Sequence, residues 1–374
     1  MTERIAVLGG GAVGVTAARD VAADGAAVTL YERGDLASGA SGRAAGIVYD
    51  AVAGEVDVAV ADRALERFRD LDADGAIDFT DCPYVWFARA GDERRADAIR
   101  ESVERMRVHD RDVGLLGADE LRDRFPALDI DVEVAAVAHD AGYLDPERYV
   151  RAMGERARTA GATVRTNASA SLDRDDAGPV VETDEGREGF DAVLVAVGAH
   201  TKRVLSDAGV AIPMKPYRVQ ALTTGPVACA DELPMAYDAT ERYYFRPHGE
   251  GLLVGDGTEK RELDPDDYDR TADPPFVEAS RDRLRRDLGV EPAVDRAWAG
   301  LCTATPDRDP LLGAVSESVS VATGWHGSGV MRAPATGERV AAALLGGEGI
   351  ERFDPKRFDG GEEFAVLEGM TVED

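Results

Sequence analysis

Arg4-Ile5-Ala6-Val7-Leu8-Gly9-Gly10-Gly11-Ala12-Val13-Gly14 is the stretch whose reading decides the fold. An apolar, β-branched run ends in Gly9-x-Gly11-x-x-Gly14 and an amphipathic stretch follows to Gly25. A second apolar run, Ala26 to Tyr31, then stops at Glu32, 18 residues past Gly14. Strand, glycine turn, helix, strand and terminal acid in that register form a dinucleotide-binding fingerprint. Gly9 allows the tight turn, Gly11 lets a pyrophosphate approach the backbone, and Gly14 lets helix and strand pack closely. The free N–H groups of Ala12 and Val13 at the helix start then face the phosphates. Glu32 accepts hydrogen bonds from an adenosine ribose and disfavours a 2′-phosphate, so FAD or NAD is expected and NADP is not.

Working outward, 374 residues are enough for about two domains and a large core. The chain enters a strand at once with no basic-then-apolar leader, and no apolar run approaches the ~20 residues that span a bilayer. A soluble, cytoplasmic protein without a transmembrane segment is expected. The 43 basic residues stand against 72 acidic ones, a net charge of −29, and only Lys202, Lys215, Lys260 and Lys356 are lysines. Such a surface repels nucleic acid and anionic membranes. Acids spread along the whole chain fit adaptation to high salt of the haloarchaeal type, where screening relieves the self-repulsion. Cys82, Cys229 and Cys302 are too far apart for a disulfide framework or a CxxC pair, and the five histidines show no ligand spacing, so no metal is expected.

Gly34 to Gly46 is a small-residue segment directly after Glu32-Arg33, suited to wrapping a diphosphate closely. The pattern Glu32-Arg33, then Ser38-x-Ala40-Ser41-x-x-x-Ala45-Gly46, resembles the FAD-binding start of the D-amino-acid oxidase superfamily, which includes glycine oxidase and sarcosine oxidase. By this resemblance Arg33, Ser38, Ala40, Ser41, Arg43, Ala44, Ala45 and Gly46 belong to an FAD site, and an NAD reading weakens. The resemblance covers roughly residues 4–358. It implies an α/β fold: a Rossmann-like FAD domain, discontinuous over 1–80, 145–213 and 298–360. An α+β substrate domain on a mixed or antiparallel sheet would take 81–144 and 214–297.

Along the chain, 57–75 and 92–110 carry apolar residues at helical spacing, and Cys82 to Ala88 and Val132 to His139 read as strands. Asp145-Pro146 opens a helix to Ala160, and 167–172 and 180–183 look like a strand pair. Phe190 to Ala199 reads as a parallel strand buried on both faces. By resemblance its end, Gly198, and also Ala170, approach the cofactor. In Tyr243-Tyr244-Phe245-Arg246-Pro247 a spacing of two puts Tyr244 and Arg246 on one face of a strand. A hydroxyl and a guanidinium there suit an amino acid's carboxylate, while a salt bridge with a packed aromatic is the structural alternative.

Trp298 to Gly313, with Thr305-Pro306-Asp307, resembles the superfamily's signature strand, but Cys302 stands where glycine-oxidase-like members carry an Arg. Cys302 lies three residues before Thr305, where the linking Cys of sarcosine oxidases lies five before, so FAD is expected to be non-covalent. Gly324 to Gly337 resembles the turn that brings Gly327, Ser328, Gly329, Val330 and Met331 against the flavin's N1/C2 carbonyl edge. A helix N-terminus there stabilises negative charge on the reduced ring. Arg332 lies one position past the family's carboxylate-binding Lys. His326 is read either over the flavin or as a structural histidine, and the acidic tail after Gly360 as loosely ordered.

The resemblance implies an FAD-dependent enzyme that oxidises the C–N bond of an amino acid or N-methylated amino acid of the D-amino acid, glycine or sarcosine type. Hydride would pass to flavin N5 and the resulting imine hydrolyse, with Tyr244, Arg246 and Arg332 anchoring the substrate. O2 or an electron carrier would reoxidise the flavin. Oxidation of a 2-hydroxy acid, or a role as flavoprotein subunit of a heteromeric amine dehydrogenase, are the alternatives.

Overall fold

The protein is described from a computed structural model, which covers residues 2–175, 178–256 and 258–367. Arg4–Leu8 lies inside a six-stranded sheet. The order is Leu311–Ala314, Val319–Thr323, Ala192–Val195, Arg4–Leu8, Ala27–Tyr31, Thr163–Arg165. Its neighbours run parallel to it, Ile5 opposite Ala192 and Leu8 opposite Tyr31. Ile5 and Val7 face one way, into a core shared with helices Ala12–Ala23, Glu55–Ala73, Pro146–Thr159 and Gly329–Leu344. Ala6 and Leu8 face the other way, onto Leu172, Val181 and Phe190 beneath a three-stranded sheet. The central strands are therefore buried on both faces, which is why Ile5 to Leu8 and Ala192 to Val195 are apolar throughout.

A second, eight-stranded sheet has the order Val294–Ala304, Lys215–Thr224, Gly251–Asp256, Tyr243–His248, Met235–Asp238, Tyr84–Arg89, Val132–Ala138, Val113–Leu116. It is mixed: Met235–Asp238 runs parallel to Tyr84–Arg89 and the other pairings are antiparallel. One face packs Tyr243, Phe245, Val85 and Phe87 against helices Ala118–Arg124 and Pro274–Leu288. The opposite face carries Tyr84, Trp86, Tyr237 and Tyr244, with helix Glu93–Val108 over its far end. A small sheet of Ile47–Tyr49, Ala141–Leu144 and Phe79–Asp81 joins the two halves.

Several expectations shift. The boundary expected at 298 falls inside Val294–Ala304, a strand that pairs with Lys215–Thr224 along its length, so 298–304 belong to the eight-stranded sheet. The strand expected over 167–172 begins only at Ser171, because Asn167 and Ala168 donate their N–H groups to the carbonyls of Gly34 and Glu32 instead. The tail expected to be loosely ordered is docked as far as Val366, which is only 4% exposed. Asp145 caps Pro146–Thr159 as expected, accepting from Glu147 N at 2.9 Å.

Candidate functional site

The first glycine turn is built by contacts no side chain could survive. Gly9 has φ 112°, and a Cβ there would lie 2.3 Å from the Ala196 carbonyl oxygen. A Cβ on Gly14 would lie 2.1 Å from the Gly9 oxygen. Helix Ala12–Ala23 therefore starts tight against the strand ends, with Gly11 at its N-cap and no side chain capping it from that position. The Ala12 N–H is met at 3.0 Å by Ser41 Oγ, the oxygen contact a phosphate would also make. Glu32 lies beside the turn, accepting from Gly10 N at 2.7 Å and Gly34 N at 2.9 Å, with Ser38 Oγ at 3.4 Å. Ala168 N bonds the Glu32 carbonyl, which brings the segment carrying Ala170 alongside.

Two arginines expected at the cofactor are engaged elsewhere. Arg43 donates to the carbonyls of Ser38 and Gly39, closing its own loop. Arg33 reaches His200 Nε2 at 3.1 Å and Asp266 at 3.6 Å. Gly198 stands at the end of the parallel strand with φ 59°.

The second glycine turn, Gly324 to Gly329, is held by the signature strand. Thr303 Oγ1 accepts from Gly324 N and Trp325 N, each at 3.1 Å, and His326 N donates to the Thr303 carbonyl. His326 Nε2 accepts from Thr305 N at 2.8 Å, and burial pushes the ring down to about 4, so it is a neutral tie between turn and strand. Ser328 precedes helix Gly329–Leu344 without capping it, its hydroxyl donating to the Trp325 carbonyl at 2.7 Å. The first N–H groups of that helix, on Gly329, Val330 and Met331, are left without a side-chain acceptor from the cap position. Gly327 faces Cys302, whose Sγ lies 4.0 Å from where a Cβ would stand. The two turns thus offer oxygen-binding N–H groups, an acid at ribose position and a side-chain-free approach. This donor set fits FAD.

Between the two sheets lies the third part of the site. Arg246 is 3% exposed, donates from Nε to the Ala45 carbonyl and from Nη1 to the Pro247 carbonyl, and stacks on the Tyr143 ring at 4.7 Å. Among the described residues no carboxylate pairs with it. Burial pushes its guanidinium down to about 10, still a cation near neutrality. Tyr244, on the same strand face, stands opposite Gly255, and a Cβ on that glycine would meet the Tyr244 ring at 2.1 Å. The phenols of Tyr49, Tyr237 and Tyr244 gather round Tyr84, which burial first, then these neighbours, holds well above the ordinary range. Tyr49 and Tyr84 stack at 4.5 Å, tying the small sheet to the large one.

Arg332, the third expected anchor, has its Nη2 3.0 Å from Asp57 Oδ1 on helix Glu55–Ala73, a carboxylate it shares with Arg352. Sequence spacing missed Tyr143, Tyr49 and Tyr84, which lie on three separate strands. No group of three or more potential metal ligands occurs among the described residues, and no described helix is long and apolar enough to cross a membrane.

Known proteins share this architecture. The chain is 28% identical to the 4-methylaminobutanoate oxidase (formaldehyde-forming) of Paenarthrobacter nicotinovorans, over 96% of the chain and 46% of that protein, so it spans about half of that relative's length. It is 26% identical to a glycine oxidase of Pseudomonas aeruginosa, over 94% of the chain and 97% of the relative. The crystal structure of L-proline dehydrogenase from P. horikoshii superposes with a TM-score of 0.87 at 27% identity, covering 96% of this chain and 99% of that one. A family profile for FAD-dependent oxidoreductases of the DAO type matches residues 4–343, and the chain belongs to that family of FAD-using enzymes.

Proposed function

We propose that the protein oxidises the C–N bond of an amino acid or N-methylated amino acid, and that Arg246 holds the substrate's carboxylate. The observation carrying this is the buried Arg246 guanidinium without an acidic partner, beside the Ala45–Gly46 end of the first glycine-rich loop. A buried cation of this kind requires an anion, and a planar fork suits a carboxylate. The relatives named for 4-methylaminobutanoate, glycine and L-proline support an amine bearing a carboxylate.

When bound, FAD supplies the two-electron acceptor for this oxidation. Gly9, Gly11, Gly14, Glu32, Ser38 and Ser41 would hold its adenosine diphosphate half, and Gly327 to Met331 its ring edge, where the helix N-terminus favours negative charge. Arg246 fixes the substrate's carboxylate, Tyr143 keeps the guanidinium flat, and Tyr244 lines the same face. The protic groups near Arg246 stay protonated: burial raises Tyr143 and Tyr244, and pushes Cys82 and Cys302 each to about 11. These four groups take no proton at neutral pH. A protonated Cys302 is also a poor nucleophile, which favours non-covalent FAD.

The test is anaerobic reduction of the purified flavoprotein with sarcosine, L-proline, glycine, D-alanine and 2-hydroxy acids. Bleaching by amino acids is expected. Bleaching by 2-hydroxy acids alone would overturn the reading.

A further inference from the structure

The tail after Gly360 runs back across the eight-stranded sheet, on the face that carries the site. Val366 is buried with Tyr217 and Ala304, and Val219, Cys302 and Phe364 pack against that cluster. Tyr217 pairs with Cys302 in register, so these residues share one sheet face. Cys302 in turn adjoins Gly327 of the second glycine turn. One of the chain's four lysines pins the tail: Lys215 Nζ donates to the Phe364 carbonyl at 2.7 Å, approaches Glu363 at 3.3 Å and lies 4.6 Å over the Phe364 ring. The start is fixed too, with Glu362 accepting from Asp359 N and Gly360 N at 2.6 and 2.9 Å. Beside the start of the tail lies a solvent-open pocket of about 110 Å³, lined by Ile212, Met214, Lys215 and Phe364 among others.

We propose that residues 361–367 form a strap that walls the substrate chamber on its Cys302 side, limiting the space available to the substrate. The size restriction rests on the function proposed above, whereas the shielding of Cys302 does not. An apolar pair, Phe364 and Val366, on a segment that belongs to neither sheet and is pinned by Lys215 is suited to cover the chamber and to move without unfolding either sheet.

The experiment is site-resolved alkylation of the FAD-loaded protein, reading Cys302 and Cys229 in the same sample by mass spectrometry. The parent is compared with a chain ended at Gly360 and with full-length Val366→Ser and Lys215→Ala. Alkylation of Cys302 is expected to accelerate about tenfold or more in the shortened chain, and less in the point variants, as local shielding is lost, with Cys229 unchanged. Michaelis constants should shift while kcat stays near the parent's. An unchanged Cys302 rate in all three variants would overturn the proposal, and so would an equal rise at both cysteines, which reports general loosening. If the shortened chain does not fold, the two point variants decide. Faster Cys302 alkylation in a protein that no amino acid reduces would uphold the strap and reject the proposed substrate.

Discussion

Arg246 and Asp50 are two residues whose charged forms burial disfavours, and each gives a distinct test. Arg246 keeps two carbonyl partners and an aromatic platform, with no carboxylate at salt-bridge distance among the described residues and Asp145 acting on it only through space. Arg246→Met should leave FAD content intact and lower kcat/KM by 100-fold or more, because removing one partner of a buried charge pair costs about 2–5 kcal/mol. Arg246→Lys should recover only part of this, since an ammonium lacks the planar fork. A kcat/KM within threefold of the parent's for either variant would remove Arg246 from the site.

Asp50 titrates near 6 because burial, then the Asp140 carboxylate, penalises its charge more than Arg111 relieves it. Its pKa is raised above the ordinary 3.8, so its contribution to stability is present below that value and lost as pH rises through 6. Asp50→Asn should therefore melt higher than the parent at pH 8, by the equivalent of about 1–2 kcal/mol, and match it near pH 4. Equal shifts at both pH values would contradict the assignment.

At the scale of elements, the site depends on which strand lies beside which. Tyr244 crosses Gly255 on the neighbouring strand because nothing larger than hydrogen fits beneath its ring. Gly255→Ala should displace that ring and raise the substrate KM about fivefold or more, the scale of losing one positioned contact, with the flavin retained. An unchanged KM would separate Tyr244 from substrate binding. The first strand–turn–helix–strand unit was legible from sequence because its determinants are local: glycines where a Cβ would strike a carbonyl, and an acid at a strand end. The shared face of Tyr244 and Arg246 was legible for the same reason, a period of two. Tyr143 under Arg246, Asp57 against Arg332, and the membership of Trp298 to Ala304 in the large sheet were not. Each depends on pairings between segments far apart in the chain, which local patterning does not encode.

Over the whole molecule, a net charge of −29 acts against the compact state, while large exposed hydrophobics among the described residues are limited to Val108 and Leu367. Thermal stability should rise from low to molar KCl as self-repulsion is screened; a melting temperature independent of salt would contradict adaptation to high salt. The proposed substrate recognition rests on Arg246, which lies beside the first glycine-rich loop. The most direct measurement is anaerobic flavin reduction followed near about 450 nm, the band expected of bound oxidised flavin. L-proline and sarcosine should be compared with pyrrolidine and dimethylamine, which lack the carboxylate, in the parent and in Arg246→Met. The account predicts that only the carboxylated amines bleach the parent at low concentration, and that Arg246→Met loses this preference. Equal bleaching of the parent by pyrrolidine and L-proline, or an undiminished preference in Arg246→Met, would contradict it.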